Sequence, residues 1–155
     1  MKKKLIIFSI FAVIVLGTQA QLIVKSPATT AQEQAQPAGK LIITLAESIK
    51  PSSYLNAYSK DKAVFLNKAS NITEVPDMLQ NVVKLAIYIK PEKYKTGITS
   101  TEFIKAMNTV TTMEQANSLL KKLENSLRPD AINPIWKLQK NGWLADVDAV
   151  SQANK

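Results

Sequence analysis

Residues 45–54 read LAESIKPSSY and residues 85–94 read LAIYIKPEKY. Leu, Ala, Ile, Lys, Pro and Tyr hold the same six of ten places. Proline lacks an amide donor and disfavours helical backbone at the residue before it, so Lys50-Pro51 and Lys90-Pro91 each predict a helix end. Arg128-Pro129 supplies a third stop, and the three prolines are spaced by 40 and 38 residues. Ile49, Ile89 and Leu127 stand two before each proline, Leu45, Leu85 and Leu123 six before, and Ile42, Val82 and Leu120 nine before. Apolar residues at these intervals share one face of an α-helix.

The register continues beyond the stops. Tyr54, Tyr94 and Ile132 stand three residues after the prolines, and Phe65, Phe103 and Trp143 follow at 14, 12 and 14. Trp136 falls in line with Tyr58 and Ile98. The pattern predicts an all-α chain of about six helices, as three helical-hairpin repeats of ~38–40 residues; repeats of this length normally stack and share a continuous core. The alternative is a helical bundle without internal repetition.

Local signals refine the boundaries. Thr111 with Glu114 and Thr99 with Glu102 read as capping boxes, with Ile98 and Phe103 as a hydrophobic staple. Thr73 reads as the cap of a helix over 74–90 with Pro76 in its first turn. Asn133-Pro134 reads as a helix start and Asn141-Gly142 as a stop, with Gly97 serving a turn. Glu124 and Arg128 stand at the spacing of a helical ion pair. No segment shows sustained strand alternation.

The chain opens MKKKLIIFSIFAVIVLGTQAQ: three lysines, a twelve-residue apolar run from Leu5 to Leu16, then small and polar residues ending at Ala20. This is the layout of a secretory signal peptide, expected over 1–20 and cut after Ala20. Twelve apolar residues are too few for a spanning helix, which takes about 20. With no cysteine, neither a lipoprotein anchor nor a disulfide is expected. Residues 21–39 hold a stretch rich in Ala, Gln, Thr and Pro with no large apolar residue beyond Val24, so they are expected to be a disordered polar linker. A single helical domain is expected over 40–150, with a disordered tail over 151–155.

Composition narrows the chemistry. The chain has no His and no Cys, which removes Ser-His-Asp, Cys-His and most zinc and haem arrangements. Lys2, Lys3 and Lys4 supply three of the formal +8 charges, and the remaining basicity is scattered, so no nucleic-acid partner is expected. Asp146 and Asp148 are the closest acids, but positions i and i+2 of a helix point apart. No catalytic, cofactor-binding or metal-binding residue is assigned, and no cofactor is expected. Lys50, Lys90 and Arg128 suggest either a ladder for an acidic ligand or cations set against helix C-termini. Tyr94 among Lys90, Lys93 and Lys95 resembles a basic-aromatic patch, although the segment reads better as a solvated loop. Trp143 is expected in the core, and Trp136 either there or exposed to a sugar or partner.

The reading is a protein exported to the periplasm or beyond, acting as a non-catalytic binding or structural module with a protein partner in the cell envelope. Two other readings stand beside it: a carboxylate-dependent hydrolase of envelope glycan, and a basic protein binding anionic lipid or polymer.

Overall fold

Each of the three proline stops folds into the same short connector. The computed structural model describes residues 35–154, and the expected signal peptide lies outside them. Among the described residues there are six α-helices and no strand longer than an isolated bridge. They are α1 (Pro37–Ser48), α2 (Asn56–Ser70), α3 (Val75–Tyr88), α4 (Thr101–Ala106), α5 (Met113–Ser126) and α6 (Trp136–Ala153). After α1, α3 and α5 the chain turns extended at Ile49, Ile89 and Leu127. It then makes a single 3-10 turn beginning at Pro51, Pro91 or Pro129 and becomes extended again at Tyr54, Tyr94 or Ile132.

Those extended residues pair with one another around a closed ring. The antiparallel bridges are Tyr54 to Ile89, Tyr94 to Leu127, and Ile132 back to Ile49. Two backbone hydrogen bonds flank each bridge. Lys90 N–H donates to Ser53 O at 2.9 Å and Leu55 N–H to Tyr88 O at 2.8 Å. Arg128 N–H donates to Lys93 O and Lys95 N–H to Ser126 O, both at 2.9 Å. Lys50 N–H donates to Ala131 O at 2.9 Å and Asn133 N–H to Ser48 O at 2.8 Å. The ring satisfies backbone groups that the helix ends and turns would leave without partners.

The helices follow the same circuit. α2 packs on α1 and α3, α4 on α3 and α5, and α6 on α5 and α1. The last helix therefore closes against the first. Trp143 on α6 fixes the closure by donating its indole N–H to Leu41 O on α1 at 2.9 Å. The residues aligned on the proline stops fill the interior: Ile42, Val82 and Leu120, Leu45, Leu85 and Leu123, with Phe65, Phe103 and Trp143, are all buried.

Several boundaries differ from the local signals. Residues 37–39 belong to α1 rather than to the linker, because Gly39 lets α1 lie against the end of α2. A Cβ there would stand 2.1 Å from Ala69 O. α5 is capped by Thr112 and Gln115, not Thr111 and Glu114; Thr112 Oγ1 accepts from Gln115 N–H at 3.2 Å. α3 starts after Glu74 with no side-chain cap, so Thr73 does not cap it. Pro76 and Asp77 serve its first turn, since proline needs no acceptor and an acid is favoured at a helix N-terminus. The Thr99–Glu102 box is not formed; Glu102 pairs with Lys122 at 2.9 Å.

α6 does not start at Asn133-Pro134, whose asparagine N–H is taken by the ring, and it does not stop at Asn141-Gly142. It runs on to Ala153, so 151–153 are helix rather than tail, because Trp143 and Val147 beyond the glycine are buried. Gly97 does occupy a turn, at φ 82°.

Candidate functional site: a pocket at the third connector

The third connector and the helix before it differ from the first two at two aligned positions. Tyr54 is buried and donates its hydroxyl to Ala46 O at 2.7 Å; Tyr94 does the same to Ala86 O at 2.7 Å. Burial pushes both phenols above their ordinary pKa, so they remain neutral donors. The third connector carries Ile132 in this position, with no hydroxyl and no ring to reach the preceding helix. The residue matching Ala46 and Ala86 is Glu124, five before its proline.

Glu124 is 4% exposed, a burial that a lone carboxylate does not tolerate. Two groups from α6 hold it: the Trp136 indole N–H donates to Oε1 at 2.9 Å, and the Lys140 ammonium lies 2.7 Å from Oε2 as an ion pair, with Oε2 accepting no hydrogen bond among the described residues. Trp136 is itself buried and meets Trp143 edge-on at 5.4 Å. The pair therefore belongs to the packed wall between α5 and α6, and Trp136 is not the exposed contact residue considered from sequence. Glu124 does not pair with Arg128 either. Arg128 lies beyond the helix end and bonds Asp130 at 3.0 Å.

In front of this wall lies a pocket of about 320 Å³. Leu127, Pro129, Ile132 and Pro134 give it apolar sides. Lys50, Lys95, Lys137 and Lys140 stand around it, four cations against the single carboxylate of Glu124. Lys140 is held by Glu124 and by Asn125 Oδ1 at 3.2 Å, and Lys95 Nζ donates to Asn125 O. Lys50 and Lys137 make no side-chain hydrogen bond or ion pair among the described residues. The ring brings these lysines together: Lys50 N–H and Lys95 N–H each bond the third connector or the helix end before it.

The other residues singled out from sequence are dispersed. Lys90 Nζ donates to Ser52 O at 2.9 Å, and Lys93 pairs with Asp130 at 2.9 Å. Lys93 and Arg128 together hold the Asp130 carboxyl below the usual carboxylate range. Of the three repeated cations only Lys50 lines the pocket, so they do not form one ladder. Tyr94 is buried and no part of a surface patch. Asp148 pairs with Lys121 across to α5, apart from Asp146. Among the described residues no group of three or more acids is placed to hold a metal ion, and no helix is long and apolar enough to cross a membrane.

Sequence reasoning passed over Glu124 and Ile132. The signal was present: they are the two places where the third segment departs from the Ala and Tyr shared by the first two. Compared with protein-family models, curated proteins and solved structures, the chain matches none of them.

Proposed function

We propose that this chain is an exported, non-catalytic binding module of the bacterial cell envelope, built from three copies of one helix–connector–helix unit and specialised at the third. The observation that carries this reading is the lysine-rimmed pocket, which lies where the third connector lacks the tyrosine of the other two. Its walls are set by packed helices and backbone hydrogen bonds, the rigid support that a binding site requires. The signal-like N-terminus supports export, and the absence of cysteine agrees with a soluble form released by cleavage.

The hydrolase reading draws less support from the pocket. Glycoside hydrolysis of the common kind needs two carboxyl groups flanking the bond. The pocket has Glu124 alone, hydrogen-bonded by Trp136 and ion-paired with Lys140.

Affinity capture tests the binding reading. Residues 21–155 serve as bait in envelope extract, washed at low and at high salt, beside an Ile132→Tyr bait. The wild-type bait should retain a specific protein or small molecule that the variant retains poorly. Retention of anionic lipid or polymer that disappears with salt, equally from both baits, would replace this reading with surface electrostatics. Empty washes throughout would overturn it.

A further inference from the structure

We propose that the pocket at the third connector binds a small organic acid: one carboxylate carried on a compact apolar body. This deepens the binding-module reading and rests on it. The argument starts from what remains unsatisfied. Lys95 and Lys140 already have partners, whereas the ammonium groups of Lys50 and Lys137 have none among the described residues. They approach from different parts of the chain, Lys50 from the first connector and Lys137 from the first turn of α6. Two free cations beside a partly enclosed space favour an anion.

The remaining wall favours more than a bare inorganic anion: of its polar residues, Asn125 accepts from Lys140 and Asn133 donates to Glu47 O, and the rest is apolar. Leu127, Pro129, Ile132 and Pro134 offer no donor side chain, and they reward an apolar body by removing it from water. The volume, about 320 Å³, lies at the small end of the ~300–1,000 Å³ range of ligand pockets, so the body is compact. A cationic ligand is disfavoured because four lysines surround the space against one carboxylate, which is already ion-paired with Lys140 and bonded by Trp136. Glu124 is a positioning residue here: it fixes Lys140 and the indole so that neither competes for the space.

Isothermal titration calorimetry on the purified protein tests this with four probes: naphthoate, naphthalenemethanol, naphthylmethylammonium and acetate. The first three share the body and differ in charge; the last keeps the charge and lacks the body. Naphthoate should bind, with the alcohol about tenfold weaker or more, as expected for loss of a charge-assisted contact. The ammonium and acetate should give no measurable heat. Lys50→Gln combined with Lys137→Gln should weaken naphthoate about tenfold and leave the alcohol unchanged. Ile132→Tyr should remove binding of both, and an unaltered helical spectrum and melting midpoint show that it folds. If that variant does not fold, the lysine variant still decides the matter. Equal binding of all three naphthalenes, an unchanged affinity in the lysine variant, or no binding of any probe would overturn the proposal. If no probe binds yet envelope capture succeeds, the ligand class fails and the binding module stands; failure of both removes both.

Discussion

Trp136→Ala lowers the free energy of unfolding by roughly 3–5 kcal/mol, the range for deleting a buried large aromatic side chain. The indole is 3% exposed, and its loss leaves a cavity between α5 and α6. It also removes the indole hydrogen bond to Glu124, at 2.9 Å, from a carboxylate that is 4% exposed and otherwise held by its ion pair with Lys140. Trp136→Phe separates the two contributions. It keeps most of the apolar volume and removes the donor, and should cost about 1–3 kcal/mol, the usual cost of leaving a buried polar group short of a partner. Urea denaturation monitored by far-ultraviolet circular dichroism measures both. A loss below about 1 kcal/mol for Trp136→Ala would mean that the indole is not buried as described.

Gly39→Ala destabilises by about 3 kcal/mol, at the upper end for forcing volume into a packed contact. The added Cβ meets Ala69 O at 2.1 Å and Ala69 C at 3.0 Å, and both are backbone atoms that no rotamer change can move. Either α1 lifts from α2 or the hydrogen bond from Gln36 N–H to Ser70 O is broken. Gly142→Ala is the matched control. That glycine lies within α6 with nothing within 4 Å of an added Cβ, so alanine should raise stability by about 0.8–1.0 kcal/mol. Opposite signs at two glycines, read from denaturation midpoints in one set of experiments, separate close packing from helix propensity. Equal signs would contradict the placement of Gly39.

The two glycines also show what the sequence could and could not reveal. Helix faces were legible because periodicity and proline stops are local: Ile42, Val82 and Leu120 need no distant information to be recognised as one face. Gly39 falls in the expected linker because burial by close approach uses small residues, while a linker argument looks for large ones. Gly142 reads as a stop because the local Asn-Gly signal gives no weight to Trp143 and Val147 beyond it. The ring was not legible. Its bonds join backbone atoms of residues far apart in the chain, such as Lys50 and Ala131, and leave no side-chain signature. At the pocket, Ile132 passes as one more apolar residue of the column it shares with Tyr54 and Tyr94, so its lost hydroxyl draws no notice. Glu124 is hidden differently: Arg128 four residues on offers a surface partner at helical spacing, and only the fold brings Trp136 and Lys140 to it.

Closure of the ring is the claim on which the pocket depends, since Lys50 reaches the third connector only through it. Ile49 and Ile132 form an antiparallel bridge of the non-hydrogen-bonded kind, in which Cα atoms stand about 4.5 Å apart. That is within the ~4.4–6.8 Å span of a disulfide. The chain has no native cysteine to compete. The double variant Ile49→Cys with Ile132→Cys, oxidised in dilute solution and analysed by mass spectrometry of non-reduced peptides, is therefore the most direct measurement. The closed ring predicts a disulfide within one molecule, formed in high yield, with helical content unchanged. Free thiols, or disulfides only between molecules, would place the first and third connectors apart and contradict it.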